Sequence, residues 1–335
     1  MDLRVVFLGT AGAVPTVDRG TSAALLVRGG ERLLFDCGEG TQRQLMRSAG
    51  LSRIDKIFFS HLHGDHYLGL PGLMKTLGLQ GRTEPLELYG PRGLEELMTV
   101  AQRVFGRHQY PVVLHEAKPG IVLETDGYRM EAWPTDHGPP SLAWCLHESK
   151  RPGEFHPERA QALGLDPGPA FRRLQMGEPV VLESGVVIEP EQVMDEPRPG
   201  RKLVFTGDTR PTDHVAQFAR GATVLVHDST FASSELERAL ETRHSTSAEA
   251  AEVAVRAGVD LLVLTHVSSR HSRRELVSEA RAVFRHAFLP DDLDELIVPY
   301  PDKGTPYFVR PAEGSCGCPE HAPGPTEADD SEGGG

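Results

Sequence analysis

Residues 54 to 66 read IDKIFFSHLHGDH, an apolar run followed by four side chains that can each give an electron pair to a metal: His61, His63, Asp65 and His66. Imidazole and carboxylate together are the donor set that zinc prefers. In extended geometry His61, His63 and Asp65 fall on one face, and Gly64 lets the chain turn so that His66 reaches the same point. A polar strand end with exposed histidines is the plain alternative, but four ligands in so short a stretch favour a metal centre. One such cluster fills only part of a two-metal site, so further ligands are expected singly at other strand ends. His137 in WPTDHGPP, Asp208 in LVFTGDTR and His266 in LLVLTHVSSRH each follow an apolar stretch. Any one alone could be a polar residue where a strand meets solvent. The recurrence argues for ligation.

These side chains need strands to hold them. Short aliphatic or β-branched runs occur at 3–8, 32–35, 54–59, 86–89, 128–133, 203–205, 223–226 and 261–264, with helical patterns at 39–49, 93–104, 247–257 and 273–287. The mixture predicts an α/β protein in which sheets are covered by helices. No internal repeat is visible. Residues 148–178 break the pattern: they are rich in Pro, Gly and charge, with too little apolar material for a core, and read as an inserted arm between strand-like stretches at 142–146 and 179–182. From about residue 311 Gly, Pro, Glu and Ser dominate, which predicts disorder. The expected organisation is therefore a catalytic domain over 1–147 and 179–312, an arm over 148–178 and an acidic tail over 313–335. Cys316 and Cys318 in that tail could bind metal, but with no second ligand cluster they read as incidental.

The net charge of −13 argues against a nucleic-acid partner at first sight. Location weakens the objection. The six acids from Glu313 onward face no Lys or Arg, which leaves 42 acids against 35 bases, or −7, in the remaining 312 residues. Bound divalent metals would add positive charge where a phosphate has to sit. No secretory signal and no membrane span can be read, and four cysteines, two scattered (Cys37, Cys145) and two close together (Cys316, Cys318), are poor material for a disulfide framework and suit a reducing compartment, so the expected location is the cytoplasm.

HxHxDH followed by distant His, Asp and His resembles the metallo-β-lactamase superfamily, and that resemblance implies a four-layer αβ/βα sandwich with its metals at one edge between two sheets. FLGTAGAVPT, DCGEGTQRQL, SHLHGDHYLGLPGL, HGPPSLAW, GDTR, RHSTSAEAA and LTHVSSRH are together similar to the ribonuclease Z branch of the superfamily. The resemblance implies two Zn2+ per subunit: one on His61, His63 and His137, the other on Asp65, His66 and His266, with Asp208 bridging. Manganese is compatible with the same ligands. It further implies an endoribonuclease that cuts precursor tRNA near its 3′ end, leaving a tRNA 3′-hydroxyl and a 5′-phosphorylated trailer. Asp65 would orient or deprotonate the attacking water.

His244, in RHSTSAEAA, matches the family's proton-donor position; its structural alternative is a residue that merely precedes a capped helix. Its partner could be Asp228 in VHDSTF, where the family more often has Glu. LGLDPGP followed by FRRLQMGE is similar to the family's flexible tRNA-gripping arm, with Gly168-Pro169 as its Gly-Pro pair and Lys150, Arg151, Arg159, Arg172 and Arg173 as candidate phosphate contacts. The family forms homodimers in which one subunit's arm holds the tRNA cut by the other. Another phosphodiesterase of this fold, acting on small or cyclic substrates, would need the metal site without the arm. A metal-bound nucleic-acid-binding module without catalysis would need neither the full ligand set nor His244.

Other positions say less. Gly9-Thr10-Ala11-Gly12 lacks the spacing and Lys of a phosphate loop and reads as a turn after the first strand. Asp36 either hydrogen-bonds a ligand histidine or simply ends a strand. Cys37 reads as a small buried residue, Trp133 and Trp144 as core, and His271 as a candidate substrate contact. His108 and His115 have no evident partners.

Overall fold

The computed structural model describes residues 2–51 and 54–310; the acidic tail with Cys316 and Cys318 lies outside the described residues. β1 (Leu3–Gly9), β2 (Ala23–Arg28) and β3 (Glu31–Phe35) form an antiparallel meander. The chain then alternates: α1 (Thr41–Arg47), β4 (Lys56–Phe58), α2 (Gly64–Tyr67), α3 (Leu70–Leu79), β5 (Leu86–Gly90), α4 (Leu94–Phe105) and β6 (Val112–Glu116). β3 to β6 pair in parallel, which is why helices must cross between them.

The second sheet repeats the plan. β7 (Gly120–Glu124), β8 (Tyr128–Pro134) and β9 (Leu142–Glu148) are antiparallel. An insertion follows, made of α5 (Pro157–Ala162), α6 (Pro169–Gln175), β10 (Val180–Val181), β11 (Val187–Ile188) and α7 (Pro190–Val193). The sheet resumes with β12 (Lys202–Phe205), α8 (Asp213–Phe218), β13 (Val224–Asp228), α9 (Leu236–Thr242), α10 (Ser247–Ala257), β14 (Leu261–Thr265), α11 (Arg273–Val283) and β15 (Ala287–Phe288). β12 to β15 are parallel, and β12 also pairs antiparallel with β9. Finally β16 (Glu295–Ile297) and β17 (Tyr307–Val309) return to the first sheet beside β1.

Alternation along the strands builds the layers. Val5 and Phe7 of β1 face the core between the sheets, while Val6 and Leu8 face the helices outside, so the strand is buried on both sides. Phe35 and Phe205, from opposite sheets, stack at 4.0 Å between ring centroids and close the sandwich beneath the edge where the candidate ligands gather. The result is the expected αβ/βα sandwich: α1, α3 and α4 cover one sheet, and α8, α10 and α11 cover the other.

Two local expectations change. The helix expected over 273–287 stops at Val283, because Ala287 and Phe288 pair in parallel with β14. The segment from His61 to Asp65 is not one extended run: Asp65 and His66 lie in the single helical turn of α2, which brings Asp65 back toward the histidines.

The insertion has a core of its own, made of Ala160, Leu165, Leu174, Val180, Ile188 and Val193. The expected arm boundary at residue 178 falls inside this lobe, since β10 pairs with β11 and not with the main sheets. Its two connecting segments run antiparallel as a stalk, bridged at Arg151 with Arg198 and at Phe155 with Met194. At the root, Glu148 accepts from Arg201 Nε at 2.6 Å and from Arg28 Nε at 2.9 Å, all three side chains being largely buried. Tyr300 lies under the guanidinium groups of both Arg151 and Arg201, at 3.6 and 3.9 Å from the ring centroid. No helix among the described residues is long and apolar enough to cross a membrane.

Candidate active site

The C-terminal ends of parallel strands in both sheets meet at one edge. His61, His63, Asp65 and His66 follow β4, Asp208 follows β12 and His266 follows β14, while His137 comes from the turn after β8. The two sheets are tied together here: Leu142 donates its amide to the Ser60 carbonyl at 2.8 Å, and Gly207, at φ 58°, approaches Ser60 so closely that a Cβ would lie 2.4 Å from the Ser60 Cβ. Gly12 is pressed against His266 in the same way, at 2.7 Å. Asp36 and His266 adopt φ of 55° and 60°, a left-handed conformation uncommon outside glycine, which Asp and His enter more readily than most residues. Backbone strain of this kind persists where the surroundings hold it, commonly at working sites.

Ring nitrogens from five histidines come together around Asp208. One group comprises His61, His63, His137 and Asp208, another Asp65, His66 and His266. Asp208 Oδ2 lies 3.6 Å from His61 Nε2, 3.7 Å from His137 Nε2, and 3.3 Å from both His66 Nε2 and His266 Nε2. Asp65 Oδ2 is 3.5 Å from His66 Nε2 and 3.2 Å from His266 Nε2, and it also accepts from the Ala13 amide at 2.9 Å. His63, exposed at the surface of the cluster, has its Nδ1 3.2 Å from His137 Nε2.

The far side of each ring decides which nitrogen faces inward. His66 Nδ1 donates to Asp36 Oδ2 at 2.8 Å, and His61 Nδ1 lies 3.1 Å from the Ser60 hydroxyl, which itself donates to Asp36 at 2.9 Å. Across the edge, His266 Nδ1 lies 2.8 Å from the Thr230 hydroxyl, which donates to Asp228 Oδ1 at 2.7 Å. His137 Nδ1 faces the Arg243 carbonyl at 3.1 Å. Each sheet therefore supplies one carboxylate, Asp36 or Asp228, that reaches a candidate ligand histidine through a hydroxyl. With Nδ1 protonated by these partners, Nε2 of His61, His66, His137 and His266 presents a lone pair to the cluster.

A divalent metal fits this donor set. His61 Nε2, His66 Nε2 and Asp208 Oδ1 are buried with no hydrogen-bond partner. Buried polar atoms seldom go unpaired, because desolvation then goes uncompensated. Charge at His61 and Asp208 points the same way, whereas at His66 burial is outweighed by the carboxylates of Asp208 and Asp36, which favour the charged ring. Burial pushes His61 down to about 2, which keeps its imidazole neutral. Burial alone would raise Asp208, but His266, His66 and His61 around it hold the carboxyl well below the usual range. A neutral imidazole and an ionised carboxylate are the forms that ligate.

His244 sits just outside the cluster, its ring centroid 4.8 Å from that of His137 and 5.0 Å from that of His266. Its Nδ1 donates to Asp228 Oδ2 at 2.9 Å. Burial opposes its charge, but Asp228 overrides that and raises the imidazole to about 9. The loop carrying it is clamped: Arg210 donates to the His244 carbonyl and pairs with Glu249, and Glu249 closes the capping box of α10 with Thr246. His244 is thus both the residue before a capped helix and a ring aimed at the cluster.

Other expected residues lie elsewhere. His271 is buried between Glu235 and Glu275, at 3.1 and 3.5 Å. His115 stacks on Tyr89, and His108 lies near Tyr110, both on the first sheet's outer strands and loops. Trp144 is buried in the core, whereas Trp133 stacks on Phe218 and is only partly covered. Of the arm's cations, Arg151 pairs with Asp302, Arg159 lies 3.4 Å from Asp195 and Arg173 lies 3.1 Å from Glu178. Lys150 and Arg172 are exposed and pair with no described residue. Thr230, Ser60 and Arg210 carry the site's scaffolding yet stand out by no spacing in the sequence.

Family models match most of this architecture: the metallo-beta-lactamase superfamily over residues 16–150 and the beta-lactamase superfamily domain over residues 170–267. Ribonuclease Z of Natronomonas pharaonis is 48% identical over 308 residues, covering 90% of this chain and 100% of the relative. Ribonuclease Z of Methanosarcina acetivorans is 46% identical over 303 residues, covering 89% of this chain and 99% of the relative. The crystal structure of human tRNase Z, short form, is 28% identical and superposes with a TM-score of 0.64, covering 89% of this chain and 99% of that one.

Proposed function

Since the chain belongs to the ribonuclease Z family of the metallo-β-lactamase superfamily, we propose that it is a metal-dependent endoribonuclease that cuts precursor tRNA near its 3′ end, leaving a tRNA 3′-hydroxyl and a 5′-phosphorylated trailer. The observation that carries this reading is the convergence on Asp208, itself after β12, of candidate ligands from three other strand ends, with His244 beside them. His61, His63 and His137 would hold one metal, Asp65, His66 and His266 the other, with Asp208 between them, and zinc suits that mixture of imidazole and carboxylate. Such a pair supplies Lewis acidity toward a phosphate oxygen and a water made acidic enough to attack near neutral pH.

The protein's own groups do the rest. Asp65, fixed by the Ala13 amide, orients the attacking water. His244, whose Nδ1 is engaged by Asp228, has Nε2 left to give a proton to the departing ribose 3′-oxygen. A ligand histidine could not do this while bound to metal. The lobe inserted between β9 and β12 supplies the grip on tRNA, with Lys150 and Arg172 as its uncommitted cations and Arg151, Arg159 and Arg173 contributing where their local pairs open. We place the protein in the cytoplasm, which the two buried free thiols Cys37 and Cys145 suit, and as a homodimer whose lobes act across the pair.

The test is metal analysis of the purified chain, incubation with a precursor tRNA and mapping of the new 3′ end. Two equivalents of zinc per subunit and a cut near the 3′ end of the tRNA, leaving a 3′-hydroxyl, are expected. An intact precursor in the presence of bound metal would overturn the assignment, and sedimentation as a fully active monomer would overturn the dimer.

A further inference from the structure

The outward face of α11 carries a groove of 880 Å³ lined by Arg273, Arg274, Val277, Ser278, Arg281 and Phe288 among others, with no acid in its lining. In a chain of net charge −13 that is unusual, and the helix shows how it comes about. The two acids of α11 face the other way: Glu279 accepts from Ser233 and Ser247, and Glu275 lies 3.5 Å from His271. The arginines are left outside. Arg273 pairs with Asp291 at 2.6 Å, and Arg281 donates through Nε to the Ala287 carbonyl. Arg274 is exposed and pairs with no described residue. Phe288, stacked on Phe308 at 3.7 Å, lends the groove an apolar wall.

We propose that this groove is a second RNA-binding surface, taking backbone phosphates of the precursor. The inference rests on the reading of the chain as an RNA-cutting enzyme. Position is in keeping with it: α11 begins with Arg273, a few residues after the end of β14 from which the candidate ligand His266 projects. Chemistry supports it as well. Arg274 and Arg281 are seven residues apart, about 10.5 Å along a helix, which spans one to two phosphate intervals of an RNA strand. Guanidinium groups are the donors that phosphate oxygens take best, and the turning away of Glu275 and Glu279 lessens the repulsion an acidic protein would otherwise present, with Asp291 beside Arg273 as a remaining acid. A rival occupant exists in the chain itself: the six acids beyond residue 312 follow Arg310, which shares Asp291 with Arg273.

The experiment uses the metal-loaded protein, intact and shortened to end at Arg310, each with and without the double change Arg274→Glu and Arg281→Glu. Neither residue touches the metal cluster. With precursor tRNA the double variant should raise KM by about tenfold or more and leave kcat within about twofold, and the salt dependence of binding should become shallower by about one to two in log–log slope. Hydrolysis of bis(4-nitrophenyl) phosphate should not change, and Arg274→Lys with Arg281→Lys should stay near the parent. The same KM rise must appear in the shortened chain. An unmoved KM and slope would overturn the proposal, as would a fall in kcat alone, which marks damage to the site. An effect confined to the intact chain would assign the groove to the acidic segment instead. If the unaltered protein fails to cut precursor tRNA at all, it is the functional reading that falls, and that is seen before any variant is compared.

Discussion

Asp228 Oδ2 lies 2.9 Å from His244 Nδ1, while its other oxygen receives the Thr230 hydroxyl that holds His266. One buried carboxylate thus governs the orientation of both the candidate proton donor and a candidate metal ligand. The arrangement also identifies the acid that orients His244: it is Asp228, the aspartate of VHDSTF.

Replacing Asp228 with Asn should leave the fold intact but lose His244's anchor, lowering kcat by about 10²–10⁴-fold. His244→Ala should do about the same with bound metal retained. Because the two act as a unit, the double variant should be little worse than either single one. Single-turnover cleavage with metal analysis checks this; strictly multiplicative losses would separate the two residues.

Asp36→Ala removes the acceptor for His66 Nδ1 and for Ser60. Metal affinity should fall by about 10–100-fold while activity at saturating metal largely returns. A chelator competition titration reads the affinity directly, and an unchanged value would reduce Asp36 to a strand end.

Stripping the metals should abolish cleavage and lower the melting temperature, since the orphaned atoms of His61, His66 and Asp208 then stay unpaired in the interior. At metal concentrations about 100-fold above Kd the stabilisation is about 2.7 kcal/mol per site. Calorimetry with and without chelator measures it. Asp208→Asn should show no such metal-dependent shift.

Glu148→Gln should destabilise by about 3–5 kcal/mol, because Arg201, at the root of the lobe, is buried and loses its carboxylate. Burial would raise Glu148, but Arg201 and Arg28 hold it below the ordinary glutamate value. A depressed folded value means that this contribution is complete above the unfolded value of about 4.3 and fades as pH falls through the folded one. Urea melts from pH 7 to pH 3 should therefore converge for parent and variant at the acid end. Parallel curves would remove Glu148 from acid unfolding.

Deleting residues 150–199 and joining the stalk ends with a short linker should cripple cleavage of precursor tRNA but spare small phosphodiesters. The lobe has its own core, and the main sheets pair without it. Equal loss on both substrates would make it a structural support.

Local spacing explains what could be read from the sequence. The four ligands after β4 stand out because they lie within six residues, and His137, Asp208 and His266 because each follows an apolar run. The roles of Asp36 and Asp228 stayed open since their partners are 30 and 16 residues away. Ser60 and Thr230 were not visible at all, as hydroxyls at strand ends are common and only contact distinguishes these two. The lobe's limits were obscured for a different reason. Its six buried side chains are spread from Ala160 to Val193 without period 2 or 3.6, so the segment looked like an arm without a core. Asp65 was placed on an extended face, but the chain forms a helical turn there that sequence spacing alone does not distinguish.

The candidate ligand set is drawn from positions as far apart as 61 and 266, and the two sheets must close on each other before Asp208 can meet both groups. During synthesis the first four ligands therefore emerge early but have no complete cage until His266 has left the ribosome. Until then the candidate site lacks one of its members, and a partly made chain holds only the histidine-rich turn. Nuclease activity then begins as a late event, timed by the translation of β14 and the packing of α11 behind it.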